Sequence, residues 1–481
     1  MGLFVWVYIS GKLEVGGWKL EVGSGKWEVG SGKRSLTRFN RLSCHDNMRS
    51  HVQGKLPTSN FPLHKPHNPL KTTKTNKVRY LILVIFLLLF DSFIFRTFAP
   101  LAANWSVPLR YIATITYWLF PVALLGLMAL AGKREQKILT LSQFIIFRAT
   151  IMIAYISKLL VALVLGINGL IYLISTGIAL LIGQEIPYDS SWWMLRIAFT
   201  IGLFVFSILV YGMLRNRYRY KVFREVVEIP GLPDVLKGFK IVQISDIHAG
   251  SLTDKAGIQK GIDLINKEAA DLICFTGDLV NNVAAEMDGF VNVFKQIKAT
   301  YGTYSVLGNH DYGDYVRWPD QASKMLNFKQ IIEVHRALGW ELLLNENRMI
   351  NVKGKEIAII GVENYSAHPR FSRYGDMEKA VDGLGEADLK LLLSHDPSHW
   401  DDDVRVNYPD IDLTMSGHTH GGQFGIEMGK LKWSPVSHYY RQWIGLYREG
   451  TQYLYINRGF GFLGYPGRVG ILPEITVLEL A

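Results

Sequence analysis

Five short segments of the sequence carry side chains that bind divalent metals. They supply carboxylates, one amide and several imidazoles, a ligand set suited to ions such as Mn, Fe, Zn or Co. In chain order the segments are Asp246-Ile247-His248, Gly277-Asp278, Gly308-Asn309-His310-Asp311, Ser394-His395-Asp396 and Gly417-His418-Thr419-His420. One segment alone would be weak evidence, because Asp-x-His and Gly-Asp occur by chance. All five together predict a metal-binding crevice.

Each segment stands where an apolar, β-rich run gives way to a loop. The runs before the five segments are 240–245, 271–276, 303–307, 389–393 and 411–415. Strand ends in an α/β sheet face a common crevice, so side chains that are far apart in the sequence can meet there. We therefore expect five strands to place the metal-binding side chains together.

The second half of the chain alternates strand and helix patterns, which predicts an α/β core. The predicted strands lie near 239–246, 271–278, 303–308, 341–345, 356–362, 389–394, 411–416, 452–457 and 474–480. The predicted helices lie near 255–269, 286–299 and 321–338.

The order of the five segments resembles that of the calcineurin-like metallophosphoesterase family over roughly residues 238–481, and the run at 417–423 is similar to its membrane-associated bacterial branch. The resemblance implies the family's two-sheet β-sandwich flanked by helices. It also implies a metal-dependent phosphoric ester hydrolase, acting as a phosphodiesterase or a phosphatase.

The resemblance further implies a role for each residue of the segments. The first metal would be held by Asp246, His248, Asp278 and His420. The second would be held by the shared Asp278 together with Asn309, His395 and His418. His310 would face the phosphoryl group as a catalytic residue, and Asp311 would orient its ring. Glycines 277, 308 and 417 would let the backbone approach the ions closely.

The resemblance therefore implies hydrolysis of a phosphoester or pyrophosphate bond by a metal-activated hydroxide. A membrane tether favours a lipid-linked substrate, but it serves equally to localise an enzyme that acts on soluble phosphodiesters. A non-catalytic membrane scaffold is the alternative, although such relatives typically lose ligands and this chain retains them all. Transport through the helices is a third hypothesis, disfavoured by the short loops.

Composition indicates more than one domain and a membrane-associated part. The 481 residues are 49% hydrophobic and carry a formal net charge of +10. Residues 1–78 hold thirteen Lys and Arg against four Asp and Glu. Because this basic segment precedes a membrane helix, anionic lipid explains it better than nucleic acid, and we expect no specific nucleic-acid binding. Cys44 and Cys274 provide no disulfide framework, and Cys274 is expected to pack as a small hydrophobe.

The sequence divides into four predicted parts. They are a basic, disordered leader at 1–78, a transmembrane region at 79–214, a basic linker at 215–237 and the phosphoesterase domain at 238–481. The leader contains three short imperfect repeats within 10–33, and Met48 is an alternative start to Met1. No cleavable signal peptide is predicted.

An all-α bundle of about four membrane helices is predicted before the phosphoesterase domain. The spans are 80–99, 109–131, 159–182 and 192–214. The stretch 138–157 is either a fifth span or a segment lying at the interface. Basic residues cluster before the first span and after the second and fourth, which predicts a multi-pass inner or plasma membrane protein with a cytoplasmic catalytic domain. Asp91 and Lys158 either form an intramembrane functional pair or are isolated charges that snorkel near a helix end or face the bundle interior.

Several further residues are weaker candidates for substrate contact. Loop histidines and aromatic residues flank the predicted crevice, and two arginines could hold a phosphate or pair elsewhere. They are His368, His399, Trp400, His438, Arg458 and Arg468. The aromatic segment from Tyr312 to Trp318 is predicted to be a lid or a lipid-facing loop.

Overall fold

The computed structural model describes residues 74–134, 141–183, 191–429 and 431–481. The predicted leader with its repeats, apart from residues 74–78, lies outside these ranges. Within them the chain begins with four long helices. These are α1 (Lys74–Phe98), α2 (Val107–Arg134), α3 (Leu141–Ile182) and α4 (Ser191–Tyr211). All four contain stretches long and apolar enough to cross a membrane.

Most of the stretch 138–157 belongs to helix α3. Residues from 141 onward belong to the same continuous 42-residue helix as the predicted third span. At 1.5 Å per residue this helix is about 63 Å long, roughly twice the hydrocarbon thickness of a bilayer. The ambiguous stretch is therefore neither a separate fifth span nor a separate interfacial helix.

The charges of Asp91 and Lys158 face the interior of the helical bundle. Lys158 Nζ lies 2.5 Å from Asp91 Oδ1, and Asp91 is completely buried. Tyr155 donates a 2.8 Å hydrogen bond to Asp91 Oδ2, and Tyr117 donates one of 3.2 Å to Oδ1. The network joins α1, α2 and α3, so the ion pair has a structural role in the bundle, whereas its functional role stays a prediction.

The rest of the described chain forms two six-stranded sheets, which confirms the predicted sandwich. The first sheet has the order β1-β14-β2-β3-β4-β5 and the second has the order β12-β13-β9-β8-β7-β6. The strands of the first sheet are β1 (Lys221–Val227), β2 (Lys240–Ile244), β3 (Leu272–Phe275), β4 (Thr303–Ser305), β5 (Glu341–Leu342) and β14 (Glu474–Leu480). Those of the second are β6 (Glu346–Val352), β7 (Lys355–Gly361), β8 (Leu389–Leu393), β9 (Leu413–Ser416), β12 (Gly445–Glu449) and β13 (Gln452–Ile456).

Helices and a small hairpin complete the sandwich. The helices are α5 (Lys255–Lys267), α6 (Val291–Phe294), α7 (Gln321–Leu338), α8 (Met377–Ala380) and α9 (Arg405–Asn407). The helix predicted near 286–299 is thus reduced to α6 and a preceding 3-10 turn. The hairpin consists of β10 (Ile426–Met428) and β11 (Leu431–Trp433).

The core lies between the two sheets because both present apolar side chains to each other. Ile241, Cys274 and Leu478 of the first sheet belong to one buried cluster with Leu391 and Tyr455 of the second. Cys274 is fully buried with a free thiol, as predicted for a small core residue. The packed sheets form a rigid base for the loops at their strand ends.

The predicted linker at 215–237 is wrong as a description of this segment. It contains β1, which pairs in parallel with β14 from Lys221 to Val227. Helix α4 continues into a π turn, Gly212–Asn216, and the chain then enters the first sheet. The run Lys-Val-Phe-Arg-Glu-Val-Val contains charges, and it forms an edge strand that is paired on one side, with β14.

Candidate metal centre

The predicted site residues meet at the carboxyl ends of parallel strands from both sheets. Strands β2, β3 and β4 are neighbours in the first sheet, and β8 and β9 are neighbours in the second. The side chains that follow them are Asp246 and His248 after β2, Asp278 after β3, Asn309 and His310 after β4, His395 after β8, and His418 and His420 after β9.

One group of three donor atoms comes from Asp246, His248 and His420, and these atoms lie within 4.8 Å of one another. The Nε2 atoms of the two imidazoles are 3.0 Å apart. His420 Nε2 lies 3.3 Å from Asp246 Oδ1. All three side chains are buried, so the group is shielded from bulk water.

A second group comes from Asp278, His395 and His418, again within 4.8 Å. Asn309 joins it, because its Oδ1 lies 2.8 Å from His418 Nδ1. Asp278 Oδ2 lies 3.1 Å from His395 Nε2 and 3.5 Å from the Nε2 of His248 in the first group. Asp278 is therefore placed between the two groups, where one carboxylate can serve both.

Three of the four imidazoles have lowered pKa values that suit a site for cations. Burial lowers the pKa of His248 to about 3 and that of His418 to about 4, and it holds the pKa of His420 well below the usual range. These rings are neutral at pH 7 and offer lone pairs to the same small space as the carboxylates. Burial also lowers the pKa of His395, but the charge of Asp278 outweighs it and raises that pKa to about 10.

The backbone at the site is strained at several proposed ligands. Among the described residues, nine that are not glycine have a positive φ, and five of these nine are proposed ligands. The five are Asp246, His248, Asp278, His418 and His420, with φ between 48° and 67°. Such a conformation costs energy and persists where the surrounding structure fixes it, which is common at functional sites.

Two glycines permit the close packing of the loops. A Cβ on Gly417 would lie 1.9 Å from Ser245 Oγ and 2.3 Å from Asp246 Oδ2. A Cβ on Gly308 would lie 2.2 Å from Asp278 Oδ1. Both positions therefore require glycine, as the sequence predicted.

The predicted contact between Asp311 and the ring of His310 is wrong. The ring is held by the carbonyl of Asn281, which accepts a 2.6 Å hydrogen bond from His310 Nδ1. The carboxylate of Asp311 instead lies beneath the loops. There it accepts hydrogen bonds from four backbone N–H groups, those of Asp278, Leu279, Val280 and Gly308. Asp311 thus positions the loop that carries Asp278 and the loop that carries Asn309.

Three side chains at the site make contacts with proposed ligands that the sequence did not predict. Tyr440 and Asp396 both lie near Nε2 of His418. This nitrogen is 2.9 Å from the Tyr440 hydroxyl and 3.5 Å from Asp396 Oδ2. Tyr315 accepts a 2.8 Å hydrogen bond from Asn309 Nδ2 and its ring packs on His310. Asp396 lies in the predicted segment Ser394-His395-Asp396 and Tyr315 lies in the predicted aromatic segment, whereas Tyr440 belongs to no motif.

The weaker candidates occupy varied positions. Among the histidines, His368 packs its ring against Tyr440, whereas His399 is buried against Tyr365. Trp400 is buried in the core beneath the second sheet, and His438 packs near Trp433 of the hairpin.

The two arginines do not face the pocket as phosphate ligands. Arg458 is buried and pairs with Glu474 at 2.6 Å. Arg468 is also buried and donates to backbone carbonyls, including that of His420 at 2.9 Å. Both guanidinium groups therefore stabilise loops of the domain.

Residues 239–422 match the family model for the calcineurin-like phosphoesterase domain. A zebrafish (Danio rerio) transmembrane protein with metallophosphoesterase domain is 28% identical over 58% of this chain and 62% of its own length. The cattle (Bos taurus) protein of the same name is 30% identical over 53% of this chain and 56% of its own. The uncharacterised metallophosphoesterase YkuE of Bacillus subtilis is 29% identical over 52% of this chain and 81% of its own.

The chain spans less than two thirds of the length of both vertebrate relatives. The similarity combines with a two-sheet sandwich, four apolar helices and two clusters of potential metal ligands. The chain carries a calcineurin-like phosphoesterase domain over residues 239–422, preceded by four helices that are long and apolar enough to cross a membrane.

Proposed function

We propose that this protein is a membrane-anchored phosphoesterase that hydrolyses a phosphoester or pyrophosphate bond with two divalent cations. The observation that carries the proposal is the position of Asp278 between two groups of buried donor atoms. Asp246, His248 and His420 would hold one cation with Asp278, and Asn309, His395 and His418 would hold the other. When bound, such a pair activates water and neutralises phosphoryl charge.

The protein's own residues prepare the site for a phosphate. The four imidazoles and the amide of Asn309 bring no negative charge, so with two cations bound the pocket remains attractive to an anion. Asp311 holds the loops in register through four backbone hydrogen bonds. Tyr315 fixes the amide of Asn309 by accepting from its Nδ2, which turns Oδ1 toward His418.

His310 is the proposed proton donor to the leaving oxygen. A carbonyl can only accept, so the bond to Asn281 O fixes a proton on Nδ1 of the ring. The remaining nitrogen, Nε2, is then the atom that can hold a second proton and transfer it. The backbone N–H of His310 donates to Asp278 Oδ1 at 2.9 Å, which keeps the residue beside the metal ligands.

The four apolar helices would each cross the bilayer and place the catalytic domain in the cytoplasm. Lys133, Arg134 and Lys137 follow the second predicted span, and Arg215, Arg217 and Arg219 follow the fourth. Basic residues stay on the cytoplasmic side of membranes, and an even number of crossings puts both groups on that side.

The proposal is tested on the full-length protein in lipid nanodiscs with bis(4-nitrophenyl) phosphate as a soluble substrate. Removing metals with a chelator should abolish release of nitrophenol, and Mn²⁺ should restore it. Thermal unfolding of the same samples checks that the protein stays folded. A folded, metal-loaded protein that releases no nitrophenol would favour the alternative of a non-catalytic scaffold.

A further inference from the structure

The β10–β11 hairpin has one face made entirely of exposed apolar side chains. Its register pairs Ile426 with Trp433 and Met428 with Leu431. Cross-strand partners share a face, so these four side chains form a single surface. All four are exposed, from 43% for Ile426 to 67% for Met428. Contiguous exposed apolar surface of this kind marks an interaction site.

The opposite face of the hairpin is polar and attached to the domain. Glu427 pairs with Lys432 across the strands, and its carboxylate binds the buried Arg458 at 2.6 Å. The guanidinium of Arg458 is fixed in turn by Glu474. The salt bridge therefore holds the hairpin in place and directs its apolar face away from the domain.

The hairpin begins beside the end of the last membrane helix. Phe424 packs in one cluster with Leu209 of α4 and Met213 of the π turn. Tyr465 joins the same cluster and donates a hydrogen bond to the carbonyl of Leu209. The basic residues that follow α4 mark this level as the edge of the bilayer. The apolar face thus continues a surface that already contacts the membrane helices.

The hairpin also leads directly to the metal centre. After Trp433 the chain forms a short 3-10 turn, Pro435–His438, and then reaches Tyr440, whose hydroxyl lies 2.9 Å from His418 Nε2. Tyr439, just before it, is 68% exposed. One continuous segment therefore connects an apolar surface to a proposed metal ligand.

We propose that the apolar face of this hairpin inserts into the headgroup boundary of the bilayer, and that the metal centre acts on phosphoesters carried by lipids. The inference rests on the proposed function and names its substrate class. Strands of three residues span about 10 Å, which matches the 5–10 Å depth of interfacial elements. Trp433, on the apolar face, is a side chain that favours the headgroup region.

Insertion is measured with a fluorescent probe on the full chain in nanodiscs of phosphatidylethanolamine and phosphatidylglycerol. Cys44→Ser removes one cysteine and buried Cys274 is left in place. An environment-sensitive dye is then attached at Met428→Cys or, as the control, at Val406→Cys. Val406 is exposed in α9, beyond the second sheet.

Spin-labelled lipids should quench the dye at position 428 and spare the dye at 406, and aqueous iodide should do the reverse. Equal quenching by iodide at both positions would overturn the inference. A dye at 428 that neither quencher reaches would also overturn it, because a second copy or residues 1–73 would then cover the hairpin.

The substrate class is tested with two substrates that share a leaving group. Phosphatidyl-4-nitrophenol in the nanodisc is the lipid substrate, and bis(4-nitrophenyl) phosphate is the soluble one. Replacing Met428 and Leu431 by Asp should lower turnover of the lipid substrate about tenfold or more and leave soluble turnover unchanged. Val406→Asp should alter neither.

The outcomes separate the two proposals. A wild-type protein that hydrolyses neither substrate contradicts the proposed function. A wild-type protein that hydrolyses only the soluble substrate, or a hairpin variant that keeps lipid turnover, contradicts the hairpin inference alone.

Discussion

Asp278 and His310 are neighbours with different proposed tasks, so substitutions should separate their effects. Asp278→Asn removes the charge that offsets two cations and should abolish both metal retention and turnover. His310→Ala removes a proton donor and should slow turnover by about 10²–10⁴-fold with the metals retained. Metal analysis of purified variants, together with nitrophenol release, measures both quantities.

Gln259→Ala, a change on the exposed side of α5, serves as the control and should match the wild type. The assigned roles would be wrong if His310→Ala lost its metals, or if Asp278→Asn kept both metals and rate.

His335 predicts a pH-dependent stability that is independent of the metal centre. The ring is buried beside Phe275 and Trp340, and burial lowers its pKa from 6.5 to about 3. Nδ1 contacts Ser305 Oγ, whereas Nε2 has no hydrogen-bond partner among the described residues. A proton on Nε2 would therefore be a buried charge without an acceptor.

Between pH 6.5 and pH 3 the unfolded chain binds more protons at His335 than the folded chain does. The stabilisation is thus complete above pH 6.5 and is lost as the pH falls, by about 2 kcal/mol at pH 5. Denaturant unfolding with chelator present should show this loss in the wild type and a smaller one in His335→Leu. Parallel pH profiles for the two proteins would contradict the prediction.

At the scale of residues, the metal centre was predicted from side chains of metal-binding type that directly follow a predicted strand. The donor side chains lie together, although their roles as ligands stay a prediction. The contacts of Tyr315 with Asn309 and of Tyr440 with His418 were not predicted, because they depend on loop packing that no local pattern encodes. The ring partner of His310 was wrong for the same reason, since Asn281 contributes a backbone carbonyl.

At the scale of elements, the Asp91–Lys158 pair joins three membrane helices. Removing one partner leaves the other charge buried, and Asp91→Ala should destabilise the bundle by about 3–5 kcal/mol. The double variant Asp91→Leu with Lys158→Met should recover most of that loss, because no charge remains. Thermal unfolding in nanodiscs compares them, and equal stability of the single variant and the wild type would contradict the prediction.

Hydrophobic pattern predicted the membrane helices and the buried central strands, but it did not predict β6, β12 or the two strands of the hairpin. It did not predict that α3 is one helix, since Gln143 and Arg148 interrupt the run without breaking helical geometry. Strand β1 was missed because its backbone partners lie in β14, far along the chain. Pairing between distant strands is not visible in a local window.

At the scale of the whole molecule, Gly212 packs the last membrane helix against the phosphoesterase domain. A Cβ there would lie 2.7 Å from Arg468 O and 2.8 Å from the Tyr465 hydroxyl. The same arginine binds the carbonyl of His420. Gly212→Leu should therefore separate the helix from the domain and destabilise the protein by about 1–3 kcal/mol.

Hydrogen exchange should accelerate in residues 463–469 of that variant. Gly169→Leu is the matched control, because a Cβ at Gly169 meets nothing within 4 Å. Identical exchange in the two variants would show that the helix and the domain do not depend on this contact.

The position of β14 has a consequence for biosynthesis. Residues 474–480 follow every proposed metal ligand in the sequence, yet β14 lies between β1 and β2. The ribosome must therefore synthesise every proposed metal ligand before β14 can pair with β1 and β2. Helix α4 is synthesised earlier and can already enter the membrane. Until then the backbone N–H and C=O groups at this edge of β2 are unpaired. A nascent chain that stalls before residue 474 therefore exposes a strand edge that can pair with a strand of another chain and aggregate.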